Sequence, residues 1–131
     1  MQIEVFSLCD AATVEGGKLN MLGAFDTIMA EKMPAVHPHC AIALRIRFNA
    51  SEGEEHDVSV KFVDTDGSHV IPPANGSIKL KFAGGRRSSS ANLVLHLQGL
   101  KFAKLGEYSI DLAVDGKAQA SVPLFIKARS L

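Results

Sequence analysis

The residue types best suited to chemistry gather in one short stretch, His37-Pro38-His39-Cys40. Imidazole nitrogens and thiolates are zinc ligands, and Cys9 could join them if the first strand lay alongside. The spacing works against a ready-made site. In an extended chain His37 and His39 share a face while Cys40 takes the other, so at most two of the three converge. Structural zinc takes four ligands, commonly in two pairs, and no second pair is identifiable. The competing reading makes His37-Pro38-His39 a loop that enters a strand, with Cys40 as a small buried apolar residue. A small metal-binding protein or enzyme centred on Cys9, His37, His39 and Cys40 is therefore the alternative expectation, not the leading one. Other catalytic patterns are lacking. No Gly-x-Ser-x-Gly elbow occurs, and Cys9 beside Asp10 has no adjacent base. Asp64 with Asp66, and Asp111 with Asp115, read as solvated strand ends and turns and not as a glycosidase pair or a calcium site. The sequence leads us to expect no catalytic residue and no cofactor.

A second candidate is the run Gly84-Gly85-Arg86-Arg87-Ser88-Ser89-Ser90. Flexible N–H groups, two guanidiniums and three hydroxyls could hold an anion or an acidic peptide, with Lys79 and Lys81 nearby in sequence. It is not a Walker loop, for it lacks the Gly-Lys-Ser/Thr ending and a following helix. A mobile solvated loop explains the same composition.

Positioning such groups falls to the elements around them. The chain has 131 residues, 47% hydrophobic and 21% charged, which fits one globular domain over residues 1–131. Lys+Arg and Asp+Glu each number 14, so no global field draws in nucleic acid or an anionic membrane, and neither is an expected partner. A net charge of zero leaves little repulsion between copies and favours association with itself or with another protein. The first residues lack the basic region and unbroken apolar stretch of a secretory signal. No apolar run approaches the ~18 residues of a membrane span. Two cysteines suggest free thiols, and the expected setting is cytoplasmic.

Alternation of apolar and polar residues dominates the chain, the period of half-buried strands. Six segments show it: around Ile42 to Phe48, Val58 to Val63, Ile78 to Phe82, Leu93 to Gln98, Tyr108 to Asp115, and Ser121 to Lys127. Ile3 to Leu8 and Leu19 to Phe25 suggest two more strands around a turn at Glu15-Gly16-Gly17, with a short helical turn possible between Leu8 and Val14. Asp66-Gly67, Asn75-Gly76 and Asp115-Gly116 are turn signals, and the last predicts a closing antiparallel hairpin. Pro34, Pro38 and Pro72-Pro73 are expected between strands. Pro123, inside the last segment, marks that strand as an edge or as bulged. Tyr108, the single tyrosine, opens the penultimate strand where an immunoglobulin-like fold places a tyrosine corner. The expected fold is thus all-β, an immunoglobulin-like antiparallel sandwich of about seven to nine strands.

Val5-Phe6-Ser7-Leu8-Cys9-Asp10, Gly17-Lys18-Leu19, Gly23-Ala24-Phe25-Asp26, His37-Pro38-His39-Cys40 and Ala43-Leu44-Arg45-Ile46-Arg47-Phe48, followed by Ile71-Pro72-Pro73 and Gly106-Glu107-Tyr108-Ser109-Ile110-Asp111 with Asp115-Gly116, are spread along most of the chain. In these the sequence resembles a family of small bacterial all-β proteins of unknown function. The resemblance implies an all-β fold and a bacterial source, and carries no activity and no site. The leading functional expectation is a non-enzymatic binding or scaffold module, acting through protein–protein contact or self-association at an edge strand. Beside it stand the Cys/His centre and anion or acidic-peptide binding by Arg86, Arg87, Ser88, Lys79 and Lys81.

Overall fold

Residues that alternate in polarity bury one face and wet the other, and in the computed structural model, which describes residues 1–129, they form nine strands. These are β1 Gln2–Glu15, β2 Lys18–Ala24, β3 Thr27–Ala30, β4 Ala35–Asn49, β5 Glu55–Val63, β6 Ala74–Lys79, β7 Ser88–Phe102, β8 Gly106–Val114 and β9 Lys117–Ala128. They make two sheets, a four-stranded one in the order β2-β1-β4-β7 (sheet A) and a five-stranded one in the order β3-β9-β8-β5-β6 (sheet B). The fold is all-β.

The inward residues of both sheets meet in one apolar layer. Phe48, Phe62, Phe102, Ile46, Ile110, Leu124 and Ile126 are among its fully buried members, and they come from five strands of the two sheets. Each such side chain contributes roughly 1.5–3 kcal/mol on burial, so the layer is the main source of stability. A second, smaller cluster lies on the outer face of sheet A, where Cys9, Ala12, Ala41 and Ala43 are buried with Leu19, Met21 and Val94 against them. Ala41 and Ala43 occupy the outward phase of β4, where water would normally reach. The β1–β2 hairpin covers them. Beyond Cys9, β1 leaves β4 and pairs only with β2. The hairpin's Gly16-Gly17 turn is held to β7 by Asn92 Nδ2, which donates to the Gly17 carbonyl at 3.1 Å. Alanines are needed there because a backbone arm lies close above them.

Several local expectations change. β1 is extended throughout, so the helical turn between Leu8 and Val14 does not form. Asn75-Gly76 is no turn; it lies within β6, opposite Ser59 and Val58. Pro38 lies inside β4, not between strands. Ser88, Ser89 and Ser90 belong to β7 and not to a loop, because they pair with Asn49, Phe48 and Arg47. One pairing is parallel, between β3 and β9; the rest are antiparallel.

β9 is not an edge strand, but Pro123 sits where it is open on one side. Phe125 N donates to the Asp26 carbonyl on the β3 side, so the nitrogen of Pro123, two residues earlier, faces the same side, before β3 begins to pair. The strand also bulges: Ala113 and Leu112 are opposite Ala118 and Ala120, which leaves Gln119 without a partner. Asp115 and Gly116, with φ of 51° and 77°, close the β8–β9 hairpin as expected.

Candidate functional site

The Cys/His stretch is dispersed by the fold. Cys40 is buried in the main layer and Cys9 in the outer cluster, so the two free thiols lie on opposite faces of sheet A. Burial pushes the Cys40 thiol up to about 11, and it also raises that of Cys9. Neither sulfur is a ready thiolate at neutral pH. His37 and His39, expected to share a face, separate. His37 is opposite the buried Leu100 with its ring 5.7 Å from that of Phe25, whereas His39 is opposite the exposed Gln98 and stacks on His96 at 6.1 Å. The alternation breaks between them, beside Gly99 of β7, a residue with φ of +60° that lies between their partners Gln98 and Leu100. Among the described residues no three His, Cys, Asp or Glu side chains are placed to hold a metal ion.

The basic segment is placed differently again. Arg86 and Arg87 are exposed at the entry to β7, and the Ser88 hydroxyl accepts a hydrogen bond from an Arg47 guanidinium nitrogen at 3.1 Å. Lys79 is opposite Glu55 across the β5–β6 pair. Lys79 thus has an acidic neighbour within the same molecule, and Lys81 lies beyond the end of β6.

Two polar constellations were not anticipated from the sequence. On the outer face of sheet A, Glu4 grips two arginines, Arg45 Nε at 2.7 Å and Arg47 Nε at 2.8 Å, and Arg45 also donates to Asn92 at 2.9 Å. Hydrogen bonds from Arg47 and then Arg45 hold the Glu4 carboxyl below its ordinary range. The network ties β1, β4 and β7 together beside the hairpin arm. The other constellation surrounds His56, which is buried and stacks on Phe48 at 3.9 Å. Its Nδ1 lies 2.7 Å from Asp115 Oδ2 and its Nε2 lies 3.0 Å from the Gly53 carbonyl. The first network joins strand to strand and the second joins β5 to two turns, so both arrangements brace the fold. Arg45 and Arg47 were legible as an outward pair, but Glu4 opposite them depends on the β1–β4 register and is not.

Among the described residues four strands are edges, β2, β7, β3 and β6, and β7 is the longest of them. β7 pairs with β4 along its length and, among the described residues, with no other strand. From residue 88 to residue 100 it carries no Asp, Glu, Lys, Arg or Pro. Edge strands are normally guarded by such residues, since their free N–H and C=O groups invite another chain. Which groups are free follows from one bond: the Arg87 carbonyl accepts from Ala50 N at 2.7 Å. Alternate residues after Arg87 therefore turn their polar groups to β4, and Ser88, Ser90, Asn92, Val94 and His96 turn theirs outward. Beside this edge the two sheets gape. A cleft of about 140 Å³ opens between β6 and β7, lined by Leu44, Val60, Ala74, Leu93 and Leu95 among others.

A family model described as a family of unknown function (DUF6941) matches residues 4–127. The chain belongs to that family. The DUF6941 match takes in part or all of each strand described above, including the hairpin arm and the whole of β7. No curated protein matches the chain. No helix is long and apolar enough to cross a membrane among the described residues.

Proposed function

We propose that the protein is a non-enzymatic binding module that self-associates, pairing the edge of β7 with β7 of a second copy. The observation that carries this reading is the unguarded edge: residues 88–100 contain no charge and no proline and have strand partners on one side only. An antiparallel pair of identical strands closes about a twofold axis, so both β7 edges are used up within the pair. Zero net charge removes long-range repulsion between the copies. The edge foreseen at the last strand is thereby replaced by β7, because β3 and β8 flank the second half of β9.

We read the architecture as an immunoglobulin-like sandwich working in a reducing cytoplasm. The strand order supports the first part: β4 beside β7 in one sheet and β9-β8-β5-β6 in the other, with β3 running parallel to β9. So does Tyr108, whose hydroxyl donates to the Lys104 carbonyl four residues upstream at 2.8 Å. The free thiols of Cys9 and Cys40 favour the second part. Anion or acidic-peptide binding by Arg86 and Arg87 has less behind it, since Ser88 is engaged by Arg47 and Lys79 faces Glu55.

Sedimentation velocity over a concentration series tests the proposal. Wild-type protein is expected to shift from monomer to dimer, while Ser90→Pro stays monomeric with its strand circular dichroism intact. The N–H removed from Ser90 faces the open edge, so the ladder to β4 keeps its bonds. A wild type that remains monomeric up to ~0.5 mM, where even weak pairing is populated, overturns the reading. So does a dimer that Ser90→Pro leaves unchanged.

A further inference from the structure

Regular β7 runs from Ser88 to Gln98, the residue ahead of Gly99, where a φ of +60° interrupts the strand. In an antiparallel pair, residues whose polar groups point outward must face one another. Several registers meet that condition. The register with the longest overlap sets Ser88 against Gln98 and makes Leu93, the midpoint, its own partner. Asn92 then faces Val94 and Ser90 faces His96 on the outer side, while on the inner side Ala91 faces Leu95. Small lies opposite large, and no like charges meet.

Leu93 and Leu95 are only half-buried in one copy, and both line the cleft between β6 and β7. At about 140 Å³ that cleft is similar in size to an apolar cavity of roughly 150 Å³ that takes up one benzene ring. One large apolar side chain therefore suffices to fill it. A strand added to β7 continues sheet A past the edge of β6 and carries its inward leucines over the mouth of the cleft. We infer that the second copy docks in this one register, with Leu93 against Leu93 across the twofold axis and the leucines of each copy closing the cleft of the other. This rests on the strand-pairing reading above, to which it adds a register, an axis and the burial of the cleft.

Cysteine cross-linking separates the two. Leu93 and its counterpart form a non-hydrogen-bonded pair, with Cα atoms about 4.5 Å apart, inside the ~4.4–6.8 Å range of a disulfide. Under mild oxidation Leu93→Cys is expected to give a covalent dimer at least about tenfold faster than Leu95→Cys, whose thiols lie out of register. A second variant, Ala74→Lys, puts a charge at the cleft on β6, away from the ladder of β7. It is expected to weaken the dimer by at least about tenfold, because the charge would be shut from water, with melting unchanged in the monomer. If the wild type dimerises and Ser90→Pro abolishes the dimer, but Leu95→Cys links as readily as Leu93→Cys, the register is wrong and strand pairing stands. If Ala74→Lys dimerises as well as wild type, the cleft is not closed by the partner. A monomeric wild type removes both ideas together.

Discussion

His56 shows how one buried ring fastens a turn. Both its nitrogens face oxygen acceptors, the Asp115 carboxylate and the Gly53 carbonyl, so a doubly protonated ring satisfies both and a neutral ring only one. Asp115 also accepts from Asp57 N at 2.9 Å. The hydrogen bond from His56, then that from Asp57, holds the Asp115 carboxyl below its ordinary value. A depressed carboxyl stabilises the fold above its unfolded value of roughly 3.9, and that stabilisation is lost as pH falls through the lower folded value. Asp115→Asn is therefore expected to lower stability by on the order of 1 kcal/mol at pH 7, a modest figure because the side chain is half-exposed. In urea unfolding the gap from wild type should shrink by pH 3; a gap of the same size at both values would place the role elsewhere. Asparagine tolerates the positive φ of this position, so the backbone does not confound the comparison. Tyr108 makes a neutral counterpart: Tyr108→Phe keeps the ring against Phe102 and loses the bond to the Lys104 carbonyl, which should cost about 1 kcal/mol in the same assay.

At the scale of elements, the hairpin arm explains a choice of residue that alternation alone cannot. Ala43 is fully buried on the outward face of β4, whereas Ala113, on the outer face of sheet B, is only partly covered. Ala43→Leu is expected to cost ~1–3 kcal/mol by forcing the arm away, and Ala113→Leu to stay within about 0.5 kcal/mol, both measured by urea unfolding. Equal effects would mean that the arm does not press on β4. This contrast also marks what was legible. Five of the six alternating segments lie on strands to within a residue, because burying one face of a sheet forces period two; of the segment from Ile78 to Phe82 only Ile78 and Lys79 do, since β6 ends at Lys79. The short β3 carries too few residues for a pattern. Ser88, Ser89 and Ser90 read as loop because composition is a local signal, and only the partner strand β4 makes them extended. Asn75-Gly76 misleads for the same reason. The convergence expected of His37 and His39 fails on a partner's residue, Gly99, which lies far along the chain. The charge-free run of β7 was readable all along, but its meaning depends on knowing that β7 is an edge.

For the whole molecule, charge is balanced locally as well as in total. Glu55 faces Lys79, Glu4 binds Arg45 and Arg47, and Glu31 binds Arg129 at 3.0 Å. Residues 88–100 of β7 carry no acidic or basic residue but His96, so association through this edge should depend on backbone bonds and apolar burial. The dimer's dissociation constant is expected to change less than about threefold between 0.05 and 0.5 M salt, whereas a pairing of charged patches would weaken steeply; sedimentation at both salts decides. The two buried thiols carry a different kind of information. Cys9 is sealed by the hairpin arm and Cys40 by the main apolar layer, so each answers to a different opening of the native state. A thiol reagent in excess becomes a pair of clocks on one molecule. Cys9 should be labelled at the rate at which the arm lifts, and Cys40 only as fast as the two sheets come apart.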